Sequence, residues 1–507
     1  MRKLLIFFLL ALLVGGYWGY SRAIKGKGGK IYWSLPPPED APVLALKKCG
    51  DLLIGYLKRG QVFALDKDTG EKKWEISTAY PGWGAKIMVV NEKNLVVWDG
   101  QNLWGVDIAK GKVVWKHGLK PTRGKLIPPQ FLAGKVLYVE NIFESISLQE
   151  WKRGREKGIF KRPYYPHVRC SRRSIFSSVP EILVEKSSAI YCLDPSTGKV
   201  VWLQEIDKAK TTSLFASKSK IFLRTASARE ENDWVWALNP LTGKKEWKMK
   251  ISTLHSLLQV PQGILVKTMK KIYFVSEKGQ KIWSKPLSKS SSLPSFLSAE
   301  NVLAILGWMT GGFYLSPDTS LYRDCLYLLE ENKKLVAISI KDGKKLWEIT
   351  LPQNAEISGF GGNKMFLSYY TQEVVTTSQD TSPQLGLSRE VTRPVPHLLC
   401  LDMEKKKIVW ERKDIGNLAY WCGDRILVID TTFCFSHFFP AVRICVLEPK
   451  KGKVLWRRRW GGILEAIEID DNCIYIANYK KDISIEQSFA REGEKPAHHK
   501  IFKVAIK

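Results

Sequence analysis

Ala64-Leu65-Asp66-Lys67-Asp68-Thr69-Gly70-Glu71-Lys72-Lys73-Trp74 decides how the rest of the chain is read. A short apolar strand ends on an acidic residue, a Gly stands four positions later, and a Trp four positions after the Gly. The same register returns at Asp107, Gly111 and Trp115, at Asp194, Gly198 and Trp202, and at Asn239, Gly243 and Trp247. It returns again at Ser339, Gly343 and Trp347, and at Glu448, Gly452 and Trp456. Two copies deviate: Val275 to Trp283 is one residue shorter but keeps Gly279, and Leu401 to Trp410 has Lys406 where Gly is expected. Recurrence at this spacing marks a repeat architecture, which adds core unit by unit over 507 residues.

Each copy extends backwards into two further apolar runs, as with Val43 to Leu46 and Leu52 to Tyr56 before the first. The unit is therefore four-stranded. The Asp carboxylate can accept backbone N–H bonds and Gly tolerates positive φ, so Asp-x-x-Thr-Gly forms the hairpin into the last strand. In that strand Trp74 and Ile76 share one face and Lys73 and Glu75 the other. One such sheet cannot bury both faces, and packing successive sheets radially is the closed solution. The predicted fold is all-β, a single β-propeller of four-stranded blades.

The pattern Ala-Leu-Asp-x-x-Thr-Gly-x-x-x-Trp, seen at Ala64 to Trp74 and with small changes at Cys192 to Trp202 and Ala237 to Trp247, resembles the repeat of the pyrroloquinoline quinone (PQQ) type propellers. That superfamily includes quinoprotein alcohol dehydrogenases and BamB-like outer-membrane assembly factors. The resemblance implies that the Trp docks one blade on the next, at Trp74, Trp115, Trp202, Trp247, Trp283, Trp347, Trp410 and Trp456. Trp33 joins them, because Gly29-Lys30-Ile31-Tyr32-Trp33 matches the end of a repeat while Ile501 to Lys507 matches the strand before it. N- and C-terminal strands are thus expected to pair and close the ring. Eight whole copies, the split one, and a degenerate one between Trp115 and Trp202, with strands at Lys135 to Glu140 and Ser145 to Gln149 and Phe160 near the Trp position, put the blade number at eight to ten.

Met1-Arg2-Lys3, the apolar run Leu4 to Val14 and the small-x-small Ser21-Arg22-Ala23 read as an export signal over residues 1–24, cleaved or kept as a membrane anchor. Residues 25–507 form the propeller, with inserted loops near 150–174, 307–324 and 371–396. Long connections are where a repeat scaffold places its binding surfaces. The protein is expected to be periplasmic or otherwise extracytoplasmic. The first cysteine is Cys49, so no lipobox cysteine follows the apolar run.

Composition narrows the chemistry. Nine cysteines include no Cys-x-x-Cys and no adjacent pair, which removes the usual zinc, thioredoxin and haem motifs. Cys192 and Cys400 occupy the place of Ala64 and read as small buried hydrophobes, and a Cys434 to Cys445 disulfide stays open. His167, His255, His437 and His498-His499 are scattered. The net charge of +29 comes largely from Lys in hairpin turns, which suits a solvated rim. A denser patch, Lys152, Arg153, Arg155, Lys161, Arg162, Arg169, Arg172 and Arg173 with nearby aromatics, could meet anionic lipid, an acidic polymer or an acidic protein. Nucleic acid is not expected of an exported chain. The quinoprotein resemblance implies an adjacent-cysteine disulfide, an Asp base and a calcium cluster; the disulfide is missing, and Asp66, Asp107, Asp194 and Asp402 belong to turns. No catalytic, cofactor-binding or metal residue is assigned. The sequence reading is a non-catalytic, BamB-like interaction scaffold at the cell envelope with an envelope protein as partner; the alternatives are a PQQ-dependent oxidoreductase with a divergent site, or a binder of an acidic envelope polymer.

Overall fold

The computed structural model describes the chain from Lys30 to Ile506, except residues 39–40, 79–85, 90, 120–126, 128, 133, 162–166, 170–180, 218, 252–253, 261, 269–270, 287–318, 331–333, 378–388, 431–440, 462, 471 and 481–497. Nine antiparallel sheets follow one another along it. Blades 1 to 8 span residues 43–77, 86–118, 130–207, 210–251, 254–286, 319–350, 356–413 and 418–461. Blade 9 takes three strands from residues 463–505 and its outermost from Ile31–Leu35. Strand Ile31–Leu35 pairs antiparallel with His498–Ala505, so opposite ends of the sequence share one sheet. The sequence range of eight to ten blades resolves to nine.

Nine apolar cores make this row a ring, because each is built from two neighbouring sheets. Blade 1 gives Ile54, Tyr56, Val62 and Ala64 to a core with Leu95, Val97 and Val106 of blade 2. Its other face gives Leu53, Leu57, Phe63 and Leu65 to a core with Tyr475, Ala477 and Ile501 of blade 9. The alternation of successive side chains to opposite faces of a strand lets every middle strand supply both gaps. This is why they read as continuous apolar runs rather than as half-polar ones.

Within a blade the strands alternate in direction, so connections one-to-two and three-to-four leave on one face of the ring, and two-to-three and four-to-next on the other. On the first face every turn is two to six residues long. All longer connections open on the second. We call these the turn face and the insertion face.

Two of the insertions are built differently from the sequence expectation. In blade 3, strands Lys135–Ser147 and Glu181–Leu193 pair along twelve positions and run beyond the blade as a long hairpin. Lys135 to Glu140 and Ser145 to Ser147 are thus one strand, and there is no tenth blade among the described residues. In blade 7, Lys364–Thr377 and Arg389–Asp402 stay paired from Lys364↔Asp402 to Thr377↔Arg389. Much of the expected loop 371–396 is therefore ladder, with residues 378–388 outside the described part. Of 307–324, residues 307–318 also lie outside it, and Thr319–Tyr322 is the first strand of blade 6.

Candidate interaction surface

The tryptophans at the repeat positions occupy equivalent stations on the outermost strands. Each faces a small or apolar partner across the ladder in eight blades, as in Ala64↔Trp74, Gly105↔Trp115, Cys192↔Trp202, Ala237↔Trp247 and Cys400↔Trp410. A bulge follows directly in each case and turns the strand into the hairpin. At Gly105 nothing larger fits: a Cβ there would lie 2.1 Å from the Trp115 indole nitrogen.

Each indole also reaches the following blade. Trp74 Nε1 donates to the carbonyl of Ile108 at 2.7 Å, Trp115 to Pro195 at 2.7 Å, Trp202 to Pro240 at 3.1 Å and Trp247 to Glu277 at 2.7 Å. Trp283 donates to Ile340 at 2.6 Å, Trp410 to Pro449 at 3.0 Å, Trp456 to Ile506 at 3.4 Å and Trp33 to Lys67 at 3.2 Å. The acceptor is the residue after the turn's Asp or its equivalent. The repeat Gly lies under the incoming ring: a Cβ on Gly198 would stand 2.6 Å from Trp115, and φ there is +69°. Only Gly is free of both penalties. Trp347 is the variant station. It packs against Tyr327 at 5.8 Å between ring centroids, and the next turn carries Lys406 at φ 53° in place of Gly.

The turn carboxylates serve their own hairpins. Asp66 accepts from the amides of Asp68 and Thr69, and these bonds hold its pKa below the usual carboxylate range. Asp194 is held down first by the Lys135 ammonium at 2.7 Å and then by Ser196. Asp402 accepts from Glu404 and Lys405 and pairs with Lys364.

The basic patch grows from the blade 3 hairpin. At its tip the chain folds into helix α1, Leu148–Glu156, started by a capping box in which the Ser147 hydroxyl accepts from the Glu150 amide while the Glu150 carboxylate takes the Ser147 amide. Ser147-x-x-Glu150 was the legible signal for this helix. Trp151 stacks on Phe160 at 4.3 Å, and the pair packs with Ile182 and Val184 in a small core apart from the ring. Gly154 is obligatory beneath Phe160, whose ring would meet a Cβ at 2.4 Å. Arg229 of blade 4 lies over the Phe160 ring and bonds Glu144 and the Glu185 carbonyl, bracing the hairpin against its neighbour. Lys152, Arg153, Arg155 and Lys161 are exposed around this helix, with Arg155 also donating to the Phe160 carbonyl at 3.1 Å. Arg169 lies in strand His167–Arg169, whose backbone pairs with Glu181–Leu193. Arg162, Arg172 and Arg173 lie outside the described residues.

Two polar clusters carry titratable groups that sequence reasoning missed. On blade 7, His397 bonds Glu411 through Nδ1 at 2.7 Å and Thr371 through Nε2 at 2.9 Å. The Tyr369 hydroxyl, first, and His397 keep the Glu411 carboxyl below its usual range. Between blades 2 and 3, His117 meets the Tyr138 hydroxyl at 2.6 Å, and Tyr138 stacks on Tyr191 at 4.6 Å. Burial pushes Tyr191 up to about 12 and the His117 imidazole down. The cross-strand neighbours that form such clusters are far apart in sequence, so no local motif announces them. No group of three His, Cys, Asp or Glu side chains able to hold a metal ion is found among the described residues. Cys192, Cys400 and Cys445 are buried, with their thiols pushed up by burial. Cys434 and His437 lie outside the described residues. His499 is buried with Nδ1 2.8 Å from Glu465.

No curated protein matches the sequence. The family described as outer membrane protein assembly factor BamB matches residues 20–140 and 176–299, just under half of the chain, and skips the segment that holds α1. Among solved structures, BamB from Moraxella catarrhalis is 12% identical, covering 94% of this chain and 97% of its own, with a TM-score of 0.41. A quinohemoprotein alcohol dehydrogenase from Pseudomonas putida HK5 is also 12% identical, at 94% and 76% coverage and a TM-score of 0.43. A eukaryotic initiation factor is 8% identical, at 84% and 89% coverage and a TM-score of 0.51. At these identities such likenesses concern the fold alone. The chain is a nine-bladed β-propeller whose residues 20–140 and 176–299 are similar to the BamB assembly-factor family.

Proposed function

We propose that this propeller is an exported, non-catalytic scaffold of the cell envelope that holds a protein partner on its insertion face. One observation carries the reading: every long connection opens on a single face of a ring whose opposite face has only short turns. Long loops on a rigid frame are the usual seat of recognition, and here one of them is braced by its own small core and displays exposed Lys152, Arg153, Arg155 and Lys161. The partner surface that fits is acidic. The family match to an outer membrane assembly factor supports the envelope setting and an assembly role. Residues 1–24 would provide export and, if retained, a tether; they lie outside the described residues, and no helix among those described is long and apolar enough to cross a membrane.

The test is affinity capture from native envelope with the detergent-solubilised full-length chain, beside a variant carrying Lys152→Gln, Arg153→Gln, Arg155→Gln and Lys161→Gln. A partner retained by the parent and lost by the folded variant is expected; equal capture by both would overturn the assignment of the insertion face. Addition of PQQ and calcium should yield neither a quinone absorbance nor dye reduction, and either signal would move the protein to the oxidoreductases.

A further inference from the structure

The turn face carries a second pattern, repeated around the ring. Three residues before the outer-strand Trp stand Lys112, Lys199, Lys244, Lys344, Lys407 and Lys453 of blades 2, 3, 4, 6, 7 and 8. Blade 9 has Lys30 at the same position, while blades 1 and 5 carry Lys72 and Lys281 one residue later. All nine side chains are exposed. Among the described residues, Lys112, Lys199, Lys407 and Lys453 make no ion pair, whereas Lys344 approaches Asp342 at 3.6 Å. Asp66, Asp194 and Asp402 of this face accept from their own hairpin amides, while Asp51, Asp68, Glu71 and Asp424 are exposed among the lysines.

Directly before the Trp, blades 1, 4 and 9 carry Lys73, Glu246 and Tyr32, and the other six blades carry the aliphatic residues Val114, Val201, Ile282, Leu346, Val409 and Leu455. These aliphatic residues are 40% to 54% exposed. In six of the nine blades the outer rim therefore pairs an exposed lysine with an exposed aliphatic side chain. The chain enters the ring on this face as well: Lys30 lies beside Ala505, whose amide donates to its carbonyl at 2.8 Å.

We propose that this rim rests on an anionic bilayer surface, so that the turn face looks toward the membrane and the insertion face away from it. The chemistry suits a lipid headgroup layer. Lysine stems lie along apolar surface with their ammonium groups at the phosphates, anionic lipids attract basic clusters within a screening length, and the aliphatic residues between them enter the interfacial zone. The inference rests on the envelope reading above.

The experiment is lysine acetylation footprinting by mass spectrometry of the full-length chain. The chain is reconstituted with vesicles of mixed phosphatidylglycerol and phosphatidylcholine, or of phosphatidylcholine alone. The N-terminal segment, with Arg2 and Lys3, can engage both compositions, so the rim is read from protection at its own lysines. On the anionic vesicles, acetylation of Lys112, Lys199, Lys407 and Lys453 is expected to fall at least threefold while that of Lys152, Lys157 and Lys161 stays unchanged. The protection should vanish in about 0.5 M salt, where screening shortens to a few ångströms. Replacing the six blade lysines by Gln should remove the anionic-vesicle increment in binding with the circular dichroism spectrum preserved. Unprotected rim lysines, protection centred on Lys152 to Lys161, or protection indifferent to salt would each overturn the proposal. Partner capture through the insertion face can succeed or fail independently of this footprint, so the two readings are separable.

Discussion

Replacing Trp115 by Ala should be among the most damaging single changes to the ring, and its cost can be worked from the structure. The indole is 9% exposed and packs with Met88, Trp98, Val136, Tyr138 and Leu193 in the core between blades 2 and 3. It covers Gly198 and donates to the Pro195 carbonyl at 2.7 Å. Truncation removes a large buried ring and leaves a cavity, a loss of about 3–5 kcal/mol, to which the abandoned carbonyl adds about 1 kcal/mol. Trp115→Phe keeps most of the apolar contact and loses the N–H, so about 1–2 kcal/mol is expected. Val114→Ala, beside it but 54% exposed, should stay within about 0.5 kcal/mol of the parent. Urea unfolding followed by far-UV circular dichroism gives the ranking. Hydrogen exchange should accompany it, because an array of repeats need not unfold in one step. Protection should fall first in residues 86–118 and 130–207. A Trp115→Ala variant that loses less than about 1 kcal/mol on the scale of buried-ring truncations, or that loosens distant blades equally, would refute the argument that indoles couple adjacent sheets.

Three further expectations follow from particular residues. Lys406 occupies the left-handed region at φ 53°, so Lys406→Gly should stabilise by about 0.5–1 kcal/mol, the strain relieved less the added chain entropy; a lower melting temperature would refute it. Asp194 has its folded pKa depressed, chiefly by Lys135, so its contribution is present above the ordinary value of 3.8 and is lost as pH falls below it. The deficit of Asp194→Asn in urea midpoint should accordingly be larger at pH 7 than at pH 3, and an equal deficit would count against the pairing. Phe160→Ala should raise hydrogen exchange in Leu148–Glu156 while leaving the ring's melting temperature within a few degrees, since its core stands apart from the blades; a global loss of protection would contradict this.

The fold was legible because its chemistry is local. Asp66, Gly70 and Trp74 lie within one hairpin, each placed by a requirement of the turn or of the next blade, and the requirement repeats. Even the split blade showed itself, since Gly29 and Trp33 keep the spacing while Ile501 to Lys507 resembles the strand that should precede them. The exceptions arose where local signals compete. Trp151 and Phe160 resemble the aromatic of a worn repeat, yet Ser147 and Glu150 start a helix and the two rings stack on each other. Thr371 to Pro396 is polar and proline-bearing, which suggests a loop, but Pro394 and Pro396 are accommodated in a long hairpin standing clear of the blade. The rim of lysines was visible as charge in hairpin turns; its circular arrangement and the aliphatic residues beside it needed strand order to appear.

The pairing of Ile31–Leu35 with His498–Ala505 sets an order of events for biosynthesis. The first described strand emerges from the ribosome hundreds of residues before its mate, and until that mate arrives one edge of blade 1 presents Val43, Leu46 and Phe63 without the blade 9 residues that cover them. A chain made from its N-terminus must therefore wait unsealed until residues 498–505 arrive, which makes that strand a checkpoint for closure and leaves the bare face as a defined surface for a chaperone to shield.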